Sequence, residues 1–261
     1  MFALLFYGNS PFNSKKGDMQ PVDKYYSFES INKHIISQNK DIKVFFHTWD
    51  TNANNIDYLI DFYKPAKYIA ENYIENNVVN SYLLSINKVN ALKSEYEKEN
   101  NIYFDNVILC RFDIIWTTNV NLTEINNNKF TISYWGNINI DKNASYDNLL
   151  IVDNRKGIHN IFFISNSKNM NIFCNLYNEL YKYDNVDKVP IMLHVIERYH
   201  LEKTGLINII DFKFIVAIDL EIESRCFMYG TPGYEHIGKN ILQTLACNTD
   251  LIPHNKNINE N

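Results

Sequence analysis

The chain has 261 residues, 46% hydrophobic and 21% charged, the balance of a folded soluble protein rather than a disordered or fibrous one. Its net charge of −5 argues against a broad electrostatic grip on nucleic acid or an anionic membrane, so a phosphate-bearing ligand has to be met by a local feature. Cys110, Cys174, Cys226 and Cys247 are dispersed without a CxxC pair and read as reduced core thiols, and no stretch approaches the ~20 apolar residues of a membrane span.

Phe2 to Tyr7 reads as a buried strand, too short and too poor in basic flanks for a signal segment, and Gly8-Asn9-Ser10-Pro11 breaks it into a loop. A helix follows from about Lys24 to Ser37, with Tyr25, Phe28, Ile31 and Ile35 at helical spacing. Ile42 to Trp49 is the second strand. Asp57 to Phe62 predicts a helix ending near Pro65, and Ala66 to Ala70 a short strand. Asn80 to Glu99 predicts a long helix with Tyr82, Leu83, Ile86, Val89, Leu92 and Tyr96 on one stripe. Val107 to Asp113 is the third firm strand. Strand, helix, strand at this spacing opens a doubly wound parallel sheet.

Beyond Trp116, Phe130 to Trp135 and Ile158 to Ser165 read as strands around a polar loop from Gly136 to Asn148. Helices are expected over Lys168 to Tyr183 and Val189 to Lys203, and short strands over Ile207 to Ile210 and Phe214 to Ile218. The polar tail 256–261 reads as disordered. The expectation is one α/β domain over 1–255, with a nucleotide-binding half (1–116) and an acceptor-side half (117–255).

The chemistry concentrates at strand ends. Charges do not enter apolar runs cheaply, so Arg111 and Asp113 either pair to close the third strand or serve a ligand. In the second case Asp113 is a hard-oxygen ligand for Mg²⁺ or Mn²⁺ bridging the phosphates of a nucleotide, and Arg111 neutralises phosphate. Gly8 permits close backbone approach, with Asn9 and Ser10 as polar neighbours at the end of the first strand. His47, Thr48, Trp49 and Asp50 occupy the matching end of the second, where an aromatic beside polar groups suits a base or sugar. Asp147 and Asp153 lie on or beside the polar loop as turn formers or a general base. His236 stands in a Gly-rich stretch, read either as a loop folding back over the sheet or as an ordinary loop carrying a histidine.

With these positions in place, the chain resembles a loose group of glycosyltransferase-like proteins of bacterial polysaccharide loci and large DNA viruses. The matching residues are Phe6-Tyr7-Gly8, Val44 to Trp49, Tyr63-Lys64-Pro65, Ser85-Ile86-Asn87-Lys88 and Val107 to Asp113. Further on, Asp153, Ile161 to Ser165, Met170 and Leu176-Tyr177 match, and the likeness spans roughly residues 2 to 200. Each motif is short, and their order makes the match specific.

The resemblance implies a GT-A-like fold, with a Rossmann-type, mostly parallel central sheet flanked by helices and a nucleotide-sugar across the strand ends. It implies a DxD-like element whose last carboxylate is Asp113, with Mn²⁺ or Mg²⁺ held there and by His236. Tyr7, Gly8, Asn9, Ser10, His47, Thr48, Trp49 and Arg111 fall on the donor side. The chain departs from the motif at Arg111, where a full DxD has Asp, and at Pro11, where the group tends to have Arg; Lys15 or Lys16 is the nearest replacement.

The expected activity is transfer of a sugar from a nucleoside-diphosphate sugar to a hydroxyl of a glycan or other acceptor, with Asp153, then Asp147, as base. The alternatives are a non-catalytic nucleotide- or carbohydrate-binding domain on a decayed transferase scaffold, and a sugar nucleotidyltransferase. The expected location is the cytoplasm, that of the host for a viral chain, with no nucleic-acid partner and no membrane span.

Overall fold

The computed structural model describes residues 1–10, 25–73, 78–135, 158, 160–183, 193–216 and 220–222. Among these residues nine strands form one sheet: β1 (Phe2–Tyr7), β2 (Ile42–Thr48), β3 (Lys67–Ala70), β4 (Asn106–Arg111), β5 (Ile114–Trp116), β6 (Phe130–Trp135), β7 (Phe162–Ser165), β8 (Ile210–Val216) and β9 (Leu220–Ile222). Their order is β3-β2-β1-β4-β7-β6-β8-β9-β5. Pairing is parallel from β3 through β2 and β1 to β4, and again from β6 through β8 to β9. β7 runs antiparallel to both its neighbours, and β5 to β9. The expected α/β class with a mostly parallel central sheet flanked by helices is therefore what the chain forms.

β1 is apolar along its whole length, and β2 and β4 through their middles, because both faces of the sheet are covered there. Leu4, Phe6, Val44, Phe46, Ile108 and Cys110 face α1 (Tyr25–Ile31) and α2 (Ala53–Tyr63). Ala3, Leu5, Tyr7, Phe45, Val107 and Leu109 face α3 (Val78–Asn100) and the later helices. Those are α4 (Ser167–Cys174), α5 (Leu176–Tyr183) and α6 (Leu193–Thr204). Cys110 and Cys174 are buried free thiols.

α3 is fastened at its lower end by a buried polar knot. Lys93, fully buried, donates to Glu97 (3.0 Å), Asn171 (2.9 Å) and the Ser167 hydroxyl. Glu97 also accepts from the Phe104 amide (2.9 Å) and from Ser167 (2.9 Å). Burial pulls the Lys93 ammonium below its usual pKa against the pull of Glu97. Every charge in the knot has a partner, which is the condition for burying one.

Several local expectations change. α1 continues into a π-turn, Asn32–Ile36, in which the Ser37 amide reaches the Asn32 carbonyl. The strand expected to run through Asp113 stops at Arg111; Phe112 and Asp113 form a turn, and β5 begins a new pairing with β9. The helix expected over Lys168 to Tyr183 is two helices, because Asn175 spends its side chain locally on Asn178 (2.8 Å) and Glu179 (3.2 Å). Residues 206–216 hold a 3₁₀ turn, Leu206–Ile209, and one strand, β8, in place of two short strands; β8 follows the register of β6. Among the described residues no helix is long and apolar enough to cross a membrane.

Candidate functional site

The chain passes from β1 to β2 and β3 on one side, then crosses back to lay β4 on the other side of β1. The strand order reverses between β1 and β4, and the carboxyl ends flanking such a reversal form a crevice in open α/β sheets. Gly8 follows β1 and Arg111 ends β4.

Gly8 has φ of +97°, a conformation that L side chains rarely adopt. Its N–H donates to the Ser85 hydroxyl (2.8 Å) and its C=O accepts from the Trp49 amide (3.3 Å). No described atom lies within 4 Å of where a Cβ would stand, so the turn is tied from two sides and open on a third.

Arg111 is the register partner of Tyr7, and His47 stands one step beyond the Phe6–Phe46 pair. His47, Tyr7 and Arg111 thus form a row on the α3 face of the sheet. The Arg111 guanidinium forks onto Asp113, Nε to Oδ1 at 2.8 Å and Nη2 to Oδ2 at 2.5 Å, with both side chains part-exposed. The pairing that closes the strand end is formed. Two N–H groups are engaged there, leaving three of the five guanidinium donors for other partners.

His47 is fully buried, and both ring nitrogens have partners: Nδ1 lies 2.7 Å from the Ser85 hydroxyl and Nε2 3.1 Å from Glu71. Because the Glu71 carboxylate only accepts, Nε2–H donates to it, and in the neutral ring Nδ1 then accepts the Ser85 proton. Burial pushes the imidazole pKa down to about 4 despite Glu71, so the ring is neutral at pH 7. Burial disfavours ionisation of Glu71, but hydrogen bonds from Lys88 and His47 outweigh it and hold the carboxyl below its usual range. The chain Gly8–Ser85–His47–Glu71–Lys88 ties the first-strand turn to α3.

Trp49 packs edge-on against His47 (4.5 Å) and Tyr73 (5.5 Å), with the Lys88 ammonium 5.7 Å from its ring centre. Tyr73 is half exposed, which makes this an aromatic and cationic rim beside Gly8. Thr48 is buried and accepts from the Asp50 amide (3.2 Å). Ser10 donates to the Asp50 carboxylate, which also takes the Asn52 amide (2.9 Å) and the Asn55 side chain (2.8 Å) at the start of α2. Asn9 is exposed.

The structure brings Tyr7, Gly8, His47, Trp49, Arg111 and Asp113 to one edge and turns Ser10, Thr48 and Asp50 to internal bonding. Asp147, Asp153, His236, Lys15 and Lys16 lie outside the described residues. Glu71 and Glu197 emerge only from the fold, and so do the partners of Ser85 and Tyr82, which the sequence placed only in a matching motif and on a helical stripe. Ser85 left a trace in the sequence, as a polar residue on the inner stripe of the long helix. Among the described residues no group of three His, Cys, Asp or Glu side chains could hold a metal ion. Both Asp113 oxygens are held by Arg111, so the described donor set does not make a metal site.

No family model matches the chain, and no curated protein does. Among solved structures, it is similar to a protein from Desulfovibrio desulfuricans G20 described as a nucleotide-diphospho-sugar transferase. That match has a TM-score of 0.48 and 9% identity, over 94% of this chain and 95% of that one. It is similar also to the nucleoside-diphosphate-sugar pyrophosphorylase from Vibrio cholerae RC9, at a TM-score of 0.48 and 13% identity, over 86% and 96%. Likeness at this level carries no argument about chemistry.

Proposed function

We propose that the chain is a GT-A-like glycosyltransferase that moves a sugar from a nucleoside-diphosphate donor to a hydroxyl acceptor. The observation that supports this reading is the placement of Arg111 at the strand-order reversal, beside a glycine turn with an open side. A guanidinium with three N–H groups beyond those that Asp113 takes, next to a glycine turn with room above it among the described residues, is what a diphosphate needs from a chain whose net charge is negative.

In this reading the nucleobase rests on the rim of Trp49, Tyr73 and Lys88, and the diphosphate lies over Gly8 toward Arg111. The acceptor oxygen bonds to the anomeric carbon as the bond from that carbon to the diphosphate oxygen breaks. The electron pair leaves with the diphosphate, and the guanidinium stabilises the charge that develops there. The acceptor's proton goes to a carboxylate in an inverting reaction, for which Asp153 and then Asp147 are proposed. Mn²⁺ or Mg²⁺ at Asp113 and His236 remains a proposal that would require Asp113 to give up Arg111, and no step is routed through it.

The closed Arg111–Asp113 fork favours one second reading, a nucleotide- or carbohydrate-binding domain without turnover, because the carboxylate is already spent on a structural partner. A thermal-shift screen of UDP, GDP, CDP and their sugars, with and without Mn²⁺, on wild type, Arg111→Ala and Asp113→Ala tests both. A ligand at a hundred times its dissociation constant stabilises by about 2.7 kcal/mol. A shift with one nucleotide family, lost in Arg111→Ala, together with donor hydrolysis, supports the transferase. A shift without turnover supports the binder, and release of pyrophosphate from a nucleoside triphosphate would reassign the chain to nucleotidyl transfer. A folded sample that shifts with none of them overturns the donor site.

A further inference from the structure

A cavity of about 540 Å³ is walled by residues of α4, α5 and α6 and the turn between the first two, and none of its lining residues belongs to the strand-end edge. Its size falls within the roughly 300–1,000 Å³ of small-molecule sites. Asn171, Asn175, Glu179, Tyr183, Lys203 and Thr204 line it.

The hydrogen bonds already made in this wall decide what it still offers. Asn171 Oδ1 accepts from Asn90 (2.9 Å), Lys93 (2.9 Å) and Ser94 (3.1 Å). An ammonium only donates, so the Asn171 atom beside Lys93 is the oxygen, and the amide nitrogen is left with no partner among the described residues. Asn175 gives one N–H to Glu179 (3.2 Å) and keeps the other. Lys203 lies over the Tyr199 ring (5.0 Å) and makes no ion pair among the described residues.

The acid of the wall is already engaged: Glu179 takes Asn175 on Oε1 and the Lys182 ammonium on Oε2. His200 is buried, and its Nε2–H donates to the Ile172 carbonyl (2.9 Å), which only accepts. Burial holds that ring below its ordinary pKa and so neutral, and Nδ1 takes the Tyr183 proton (2.7 Å). The Thr204 proton goes to the His200 carbonyl (2.7 Å). Tyr183 and Thr204 are therefore left as acceptors, while Lys203, Asn171 and Asn175 have donors to spare. The surplus is of N–H groups and of one positive charge.

We propose that this cavity binds a small polyhydroxy carboxylate, its carboxylate meeting Lys203, its further oxygens the Asn171 and Asn175 amides, and its hydroxyls donating to Tyr183 and Thr204. One negative charge on the ligand answers the one spare cation, through the stronger, charge-assisted kind of hydrogen bond. A phosphate dianion would bring a second negative charge beside Glu179. The site is separate from the proposed sugar transfer and takes no part in it.

The test titrates sodium glucuronate, glucose and inorganic phosphate, each through the millimolar range at constant ionic strength, and follows the side-chain amide signals of Asn171 and Asn175 by NMR. Glucuronate should shift both signals to saturation. Glucose, which has the hydroxyls without the carboxylate, and phosphate, which has the charge without the hydroxyls, should leave them in place. Lys203→Met should weaken glucuronate about tenfold or more. Glu179→Gln, which removes the acid and releases Lys182, should tighten it. Lys203 is exposed and Glu179 part-exposed, so both variants keep the fold.

Signals that do not move with glucuronate, or that move equally with glucose or phosphate, overturn the proposal. So does a glucuronate affinity that Lys203→Met leaves unchanged. None of these outcomes depends on whether UDP, GDP or CDP binds at the strand ends, so the donor site and this cavity stand or fall separately.

Discussion

Tyr7 and Arg111 face each other across the β1–β4 pairing, one fully buried with its hydroxyl bonded inward, the other at the edge with its guanidinium forked onto Asp113. The site edge is therefore a buried polar layer carrying an outward charge. Its consequences divide between stability, which the layer sets, and binding, which the charge sets.

Arg111→Lys keeps the charge but not the fork, since an ammonium cannot match two carboxylate oxygens in plane. The expected effect is a loss of about tenfold to a hundredfold in nucleoside-diphosphate affinity, measured by calorimetry, with a stability change of about 1 kcal/mol or less because the pair is part-exposed.

Gly8→Ala should destabilise by roughly 1–2 kcal/mol in urea unfolding, from the positive φ alone, since a Cβ there meets nothing among the described residues. If the loss is much larger, the open side above Gly8 is filled.

His47 should make the protein acid-sensitive. Its folded pKa of about 4 lies below the ordinary 6.5, so the unfolded chain binds the extra proton between those values and stability falls as pH drops through that window. The loss is about 3 kcal/mol when complete. Replacing it with Gln should flatten the acid limb of a urea-midpoint against pH curve.

Glu197 should act with the opposite sign. Its folded pKa, near 8, exceeds the ordinary 4.5, so the folded state holds a proton that the unfolded chain releases. Stability falls as pH rises from about 4.5 to about 8, by up to roughly 5 kcal/mol, and is level beyond. Glu197→Gln should remove that slope and raise the urea midpoint most at the alkaline end.

Lys93→Met should cost about 3–5 kcal/mol in chemical denaturation by stranding Glu97 as a buried charge. Adding Glu97→Gln should recover part of that loss, the remainder reflecting the Phe104 amide and Ser167 that Glu97 also serves.

The parallel core was legible because its signals are local. Leu4, Phe6, Val44 and Ile108 sit in unbroken apolar runs, and Leu83, Ile86 and Val89 repeat at helical spacing. The turn at Phe112-Asp113 was not, since Phe112 is as buried as the strand before it and Ile114 as buried as the strand after it. A strand that stops between apolar residues leaves no mark in a hydrophobic pattern. Asn175, which divides α4 from α5, is one more Asn in a chain full of them.

In the site, Gly8, Arg111 and Asp113 were legible because a glycine or a charge at the end of an apolar run is anomalous. His47 carried the same signal, yet it is enclosed by Ser85 and Glu71. Tyr82 and Glu197 could not be related from the sequence, because they lie 115 residues apart on two separate helices, α3 and α6.

α3 is fastened to the body of the protein near the site edge by Ser85 and Tyr82 and lower down by Lys93 and Glu97, with Asn87 and Asn90 bonded to Cys174 and Asn171 between them, and the upper and lower fastenings share no residue. Eight residues separate Ser85 from Lys93, about 12 Å of helix rise, which is beyond the range over which substitutions usually couple. Losses at the two places should therefore add. A library that rewrites the upper layer can be screened with the lower one left intact, and a variant that loses binding there has changed the site rather than released the helix.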